Sequence, residues 1–298
     1  MNTATINVSI SGSGPLATLL EKHINARPDL NLVNEDASQC VLHLPSVADV
    51  ESGEAATLIT ELLGRGQNVV STAPVQSINH TDLLGACRNG GASFHGTGGY
   101  QCSLISRFNR AFAAITRGIS RVELAEDVAI ESIPGFEFNA DQELEPQAAS
   151  LQPYYENGLH TLHDAVFNAN AHSMSSSKGD EIQSTTTLKE FEDHAPRLAG
   201  APNSHHIKVH RTMGNVAYDS VWRLDANKPA LQHTLSTQSS DATGHVMLTF
   251  EQEGETHPVL HLTCKSLLDA VRAVTESKPG ILHHNLDINY VKPDDRLA

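Results

Sequence analysis

The chain has 298 residues, enough for one large domain or two ordinary ones with a well-buried core. Its 35 acidic side chains outnumber 20 basic ones, giving a formal charge of −15 that repels phosphate backbones and argues against nucleic acid or anionic membranes as partners. No apolar run approaches the roughly 18 residues of a membrane span, and Met1 to Thr5 lacks the charged and apolar regions of a signal peptide, so a cytoplasmic protein is expected.

The pattern of elements opens with Ile6-Asn7-Val8-Ser9-Ile10, an alternating β-branched strand that runs into Gly12-Ser13-Gly14-Pro15-Leu16-Ala17. Leu16 to Ala26 carries Leu16, Leu19, Leu20 and Ile24 at helical spacing, and Arg27-Pro28 ends that helix. Leu30 to Val33 reads as a second strand with Asn34-Glu35-Asp36 at its tip. Cys40 to Pro45 is a third strand, with Pro45-Ser46 at its carboxyl end. A helix over Ala55–Leu63 and a fourth strand over Asn68–Thr72 follow, then a helix over Asp82–Arg88 and a fifth strand over Ala92–His95. Strands and helices alternating in this way predict a parallel α/β sheet.

The second half reads differently. A helix is predicted over Leu104–Ile115, a strand from Arg121, a linker over Glu137–Pro153, a helix over Thr161–Ala171 and a serine-rich loop over Ser173–Gly179. The segments 207–210, 216–218, 231–235, 245–250 and 259–262 alternate like antiparallel strands with one wet face. A last helix spans Ser266–Thr275 and stops at Lys278-Pro279-Gly280. The expected architecture is an α/β Rossmann-type parallel-sheet domain (1–125), then an α+β domain with a largely antiparallel sheet (126–265), then a helix and tail (266–298) that return to the first domain.

The four cysteines, Cys40, Cys87, Cys102 and Cys264, form no C-x-x-C pair and read as reduced thiols. Among 17 histidines, neither His205-His206, His283-His284 nor the His160/His163 pair is joined by a coherent ligand set, so no metal is expected.

Gly12-x-Gly14-x-x-Ala17 fits the dinucleotide fingerprint. The first glycine makes the turn, the second admits a pyrophosphate, and the small third residue lets helix and strand pack. Pattern alone is weak evidence, since a tight strand–helix connection also favours glycine; its place between strand and helix strengthens it. Glu35 or Asp36 stands where an acid would hold the adenosine ribose, although either also suits a solvated turn. No Arg or Lys lies beside them in sequence to meet a 2′-phosphate, which favours NAD over NADP.

A more specific pattern lies in the middle of the chain. Gly66-Gln67-Asn68-Val69-Val70-Ser71-Thr72, Gly85-Ala86-Cys87-Arg88-Asn89-Gly90-Gly91 and Ser93-Phe94-His95-Gly96-Thr97-Gly98 resemble, in order and spacing, the dihydrodipicolinate-reductase-like superfamily. Within it the chain is most similar to the branch of 2,4-diaminopentanoate dehydrogenase and related amine dehydrogenases. Ser266 to Ala273 and Lys278-Pro279-Gly280-Ile281 resemble that branch's late helix and its ending. The resemblance covers 6–131 well and 207–285 loosely. It implies a Rossmann domain, a mixed substrate domain, oxidation or reduction at a C–N or C–O carbon, an NAD or NADP cofactor and a homodimer. The implied cofactor-binding residues are Gly12, Ser13, Gly14, Pro15, Leu16, Glu35, Pro45, Ser71, Thr72, Gly96, Thr97 and Gly98.

Three departures stand out. The relatives insert a further helix and strand where this chain has only Asp36 to Cys40, which thins the wall around an adenine. Their catalytic glutamate after Ser-Thr is replaced by Ala73-Pro74-Val75-Gln76. Their loop after the G-T-G turn becomes Gly99-Tyr100-Gln101-Cys102. Tyr100, His95 and Glu126 are then the candidates for acid–base chemistry. Each has a plainer reading: a pocket wall for Tyr100, a core histidine for His95, a solvated strand end for Glu126. Ser204-His205-His206-Ile207-Lys208 is one residue short of the H-H-x-x-K of true dihydrodipicolinate reductases and is read as coincidence. The expected function is an NAD(P)-dependent oxidoreductase of a small carbonyl, imine or amine, bound between the domains. The alternative is a Rossmann fold repurposed as a cofactor-independent enzyme or a small-molecule-binding protein.

Overall fold

The computed structural model describes residues 4–99, 112, 116–129, 206–223 and 230–283. The expected helix over 161–171, the linker over 137–153, the loop over 173–179 and nearly all of the helix over 104–115 lie outside the described residues.

Six parallel strands form the first sheet. They are β1 (Ile6–Ser11), β2 (Leu30–Leu32), β3 (Cys40–His43), β4 (Asn68–Ser71), β5 (Ser93–Gly96) and β11 (Gly280–Ile281), in the order β2-β1-β3-β4-β5-β11. Strand order reverses between β1 and β3, since the chain first builds outward to β2 and then returns to the other side of β1. In open parallel sheets this reversal opens a crevice at the carboxyl ends of the strands.

Successive residues of a strand face opposite ways, so a sheet covered on both sides needs apolar residues at nearly every position. Val8, Leu42 and Val70 pack on one side against Leu20 and Ile24 of α1 (Pro15–Asn25), and against Leu267 and Val271 of the last described helix. Val41, Val69 and Phe94 pack on the other side. There they meet Ile59, Leu62 and Leu63 of α3 (Glu54–Gly64) and Leu83 and Cys87 of α4 (His80–Gly90). Full burial of each such aliphatic side chain contributes about 2 kcal/mol.

The second sheet contains β6 (Ile119–Ala129), β7 (His206–Met213), β8 (Val216–Arg223), β9 (Leu231–Ser239) and β10 (Thr243–Phe250), ordered β10-β9-β6-β8-β7. Its neighbours are antiparallel except β6 and β8, which run parallel. The expected α/β fold, a parallel Rossmann-type sheet with a largely antiparallel second sheet, is thus what the chain adopts. The sequence boundaries at 125/126 and 265/266 fall inside β6 and inside the last described helix.

Two helices and one strand differ from expectation, the strand being β11, where only a helix stop was read. A short helix, α2 (Val47–Ser52), follows β3 and starts with a reciprocal cap. The Asp49 N–H donates to Ser46 Oγ (3.1 Å) and the Ser46 N–H to Asp49 Oδ2 (2.8 Å). Residues 259–262, read as a strand, are instead the first turn of α5 (Pro258–Glu276). Pro258 suits the first helical position, and the Val259 N–H donates to Nδ1 of His257 (3.2 Å). Leu260, Cys264, Leu267, Leu268 and Val271 then continue at helical spacing into the core. Among the described residues no helix is long and apolar enough to cross a membrane.

Candidate nucleotide-binding site

The turn after β1 sits at the reversal of strand order. Gly12 has φ 132°, and a Cβ built there would lie 2.7 Å from the carbonyl oxygen of Leu44, just past the end of β3. Only glycine lets β1 and β3 close so tightly at this point. Gly14, at φ 99°, is the N-cap of α1, and a Cβ there would meet nothing within 4 Å. Gly12, Ser13, Gly14 and Pro15 are all exposed. Pro15 begins the helix without an N–H, and the amides of Leu16 and Ala17 have no carbonyl within the helix to reach. An open, anion-favouring set of backbone donors results, suited to a pyrophosphate.

Ser11, His43, Ser71 and Gly96 stand in register across β1, β3, β4 and β5 at the same carboxyl edge. The Thr72 N–H donates to the His43 carbonyl (3.1 Å), and Thr97 donates to the Ser71 carbonyl from both its N–H (2.8 Å) and its Oγ1 (3.1 Å). Gly96 packs against the chain after β4, where a Cβ would lie 2.6 Å from the Ala73 carbonyl oxygen. Gly12, Ser71, Thr72, Gly96, Thr97 and Gly98 therefore share one edge of the sheet, with Pro45 two residues past the end of β3.

One residue of that edge was not among the sequence candidates. His43, only 3% exposed, places Nδ1 3.0 Å from Ser71 Oγ, while the Ala73 N–H donates to the same oxygen (3.0 Å). With one donor proton and two acceptor lone pairs, the Ser71 hydroxyl accepts from Ala73 and pairs with His43 Nδ1 as donor or acceptor according to the ring tautomer. Burial pushes the His43 pKa down to about 4, against a smaller opposing pull from Asp49. The ring is neutral at pH 7. Its sequence signal was a histidine ending a wholly buried strand, a position that ordinarily demands a polar partner.

Glu35 lies elsewhere. The backbone leaves β2 early: the Val33 N–H donates to Val8 O, and the Gln39 N–H returns to Asn7 O. Between them Glu35–Ala37 forms a 3-10 turn tied to the first half of β1, with Ser38 Oγ 3.0 Å from Ser9 Oγ. The Glu35 carbonyl accepts from Gln67 Nε2 (2.6 Å) and Ser38 Oγ (2.7 Å), and its carboxylate meets Arg65 Nη2 at 2.8 Å. Such a half-exposed ion pair is worth little by itself, so the buried-side backbone bonds hold the turn. A basic residue does stand beside this acid, brought by α3 from 30 positions away. At about 3.3 Å per residue, the level of Ser9 is roughly 10 Å short of Gly12 along the strand.

His95 faces the α5 side of the sheet, and its Nδ1–H donates to the Leu282 carbonyl (2.9 Å) next to β11. Burial lowers its pKa. Tyr100 lies outside the described residues. Glu126 is in the second sheet, 2% exposed, where it accepts a hydrogen bond from the Tyr218 hydroxyl. His233 is its register partner on β9; burial lowers the His233 pKa, and the nearby Glu126 carboxylate partly opposes this. The Glu126 end of this sheet is fixed to the first. His257, which caps α5, uses Nε2 to reach the carbonyls of Ala129 (3.0 Å) and Ala230 (3.2 Å). Because α5 runs antiparallel to the strand that follows it, its N-terminus lies toward the carboxyl edge of the first sheet, the edge that carries the glycine turn.

No protein-family model and no curated protein sequence matches the chain. Among solved structures, an amine dehydrogenase from Mycobacterium smegmatis overlays with a TM-score of 0.56 at 12% identity, covering 93% of this chain and 94% of that one. A myo-inositol dehydrogenase from Corynebacterium glutamicum ATCC 13032 gives 0.51 at 12% identity, over 93% and 90%. The chain has the Rossmann-type dehydrogenase fold of these proteins. The sequence resemblance to the amine-dehydrogenase branch thus holds at the level of fold.

Proposed function

We propose that the protein is an oxidoreductase that uses a nicotinamide dinucleotide on a small carbonyl, imine or amine, held between the carboxyl edge of the parallel sheet and the Glu126 end of the second sheet. The observation that carries this reading is the open Gly12–Leu16 turn at the reversal of strand order, with Ser71, Thr72 and Thr97 along the same edge. A bound nicotinamide ring would supply the hydride acceptor or donor. In this reading the backbone amides of Ser13, Leu16 and Ala17 bind the pyrophosphate, and the loops after β3, β4 and β5 support the nicotinamide half.

Proton chemistry is assigned to the Tyr218–Glu126 pair. The Tyr218 hydroxyl already points its proton at the Glu126 carboxylate, whose charge acts on His233 across the register. His95 is a weaker choice, since its Nδ1–H is committed to Leu282. Tyr100, outside the described residues, stays a proposed acid on its sequence position alone. A homodimer and a cytoplasmic setting complete the proposal.

The early end of β2 favours a second reading, in which the fold has lost its dinucleotide and binds another small molecule. Titration with NADH and NADPH, followed by ligand fluorescence and thermal shift, separates the two. Saturable binding of either supports the oxidoreductase; no binding at millimolar concentration gives way to the second reading.

A further inference from the structure

Selection between NAD and NADP in Rossmann folds rests on the residue at the end of the second strand, which meets the ribose 2′ position. In this chain that strand is three residues long, and the acid following it is built into a different place. We infer, resting on the dinucleotide reading above, that the protein does not read the ribose 2′ position: it binds NADH and NADPH with equal affinity and holds the cofactor by its pyrophosphate and nicotinamide half.

Three observations converge on this. The first is register. β2 pairs only with Ile6 to Val8 of β1, while β1 continues to Ser11 before the glycine turn. The chain that would flank an adenosine turns back about 10 Å too soon, beyond the reach of a glutamate side chain. The second is anchoring. Glu35 cannot swing up as a unit, because its carbonyl is held by Gln67 and Ser38, and Ser38 by Ser9. Both flanks of the turn are hydrogen-bonded to β1. The third is charge. Arg65 and Glu35 form a matched pair, and the exposed Asp36 is held in the same turn, so no charge of this turn is carried up to the level of Gly12. Discrimination between two ligands needs a differential contact, and the described residues supply none at this position.

The glycine turn, by contrast, keeps its donors. The adenosine half should then contribute little, and reduced nicotinamide mononucleotide, which carries one phosphate and no adenosine, should retain much of the affinity.

The test is direct binding by the full chain, measured calorimetrically and by reduced-nicotinamide fluorescence, with NADH, NADPH and reduced nicotinamide mononucleotide. Dissociation constants for NADH and NADPH within about threefold, and for the mononucleotide within about tenfold of these, are expected. Glu35→Gln and Arg65→Ala should leave the NADH to NADPH ratio unchanged, with thermal unfolding confirming that each variant is folded. A preference above tenfold for either dinucleotide would overturn the inference while leaving the dinucleotide reading intact, and its collapse in Glu35→Gln or Arg65→Ala would trace it to this pair. Failure of all three nucleotides to bind would remove the reading on which it stands.

Discussion

Thr97 binds the carbonyl of Ser71 twice, through its backbone N–H at 2.8 Å and through Oγ1 at 3.1 Å. Ser71 ends β4 and Thr97 directly follows β5, and both are buried. Their pairing locks the loop after β5 to the loop after β4 at the edge where the nucleotide is proposed to sit.

Thr97→Val keeps the shape and the N–H bond but removes Oγ1, which also accepts from the Gly99 N–H (3.3 Å). A loss of about 1–2 kcal/mol in urea unfolding is expected. NADH affinity should fall about tenfold as the loop loosens. An unchanged affinity with the stability loss intact would mean that this loop does not touch the ligand.

Gly12→Ala places a methyl group against the Leu44 carbonyl at a φ of 132° that L-residues rarely adopt. The expected cost is about 2–3 kcal/mol, with nucleotide binding lost. Gly14→Ala meets no such wall, although its φ of 99° carries strain of its own. The two variants, compared by chemical denaturation and NADH titration, should rank Gly12→Ala as the more damaging to stability.

His43 gives the protein an acid weakness with a predictable sign. Its folded pKa of about 4 lies below the ordinary 6.5, so the unfolded chain takes up the proton first. The stability contributed by the neutral ring is present above pH 6.5 and is lost as pH falls toward 4, by about 3 kcal/mol at most. His95, His233 and His257 are lowered by burial in the same direction and add to the slope. His43→Gln should flatten the dependence of unfolding free energy on pH between 6.5 and 4 by close to one proton. Equal slopes in the two proteins would refute a neutral buried His43.

Gly90 is pressed on the C-terminus of α3, where an added Cβ would fall 1.8 Å from the Leu63 carbonyl oxygen. Gly90→Ala must push α4 away from α3, and a loss of about 3 kcal/mol is expected. Since this contact is remote from the glycine turn, NADH affinity in the folded fraction should stay within twofold of the original.

Much of the first sheet was legible because both its faces are covered. Continuous apolar runs such as Val69-Val70 and Cys40-Val41-Leu42, punctuated by glycine turns, leave few other arrangements. The helix at 258–276 was misread at its start because Val259-Leu260-His261-Leu262 alternates like a strand over four residues. The deciding signal was local, a proline and a capping histidine rather than the periodicity. The short helix α2 was missed although Ser46-Val47-Ala48-Asp49 carries the capping pattern.

In the candidate site, the glycine turn and the residues ending β4 and β5 could be placed because strand ends and glycine motifs are sequential features. His43, Tyr218 and His233 could not. Each owes its environment to a partner brought by another strand: Ser71 to His43 across 28 residues, and Glu126 to Tyr218 across 92. Arg65 escaped notice beside Glu35 for the same reason.

The first sheet also sets a constraint on the birth of the protein. One of its faces is roofed jointly by α1 and by α5, and its outer strand β11 pairs with β5 across more than 180 positions of chain. During synthesis, strands β1 to β5 would leave the ribosome with Val8, Leu42 and Val70 half covered until residue 281 appears. Such an interval invites chaperone binding, and makes early termination before α5 a route to aggregation rather than to a smaller folded protein.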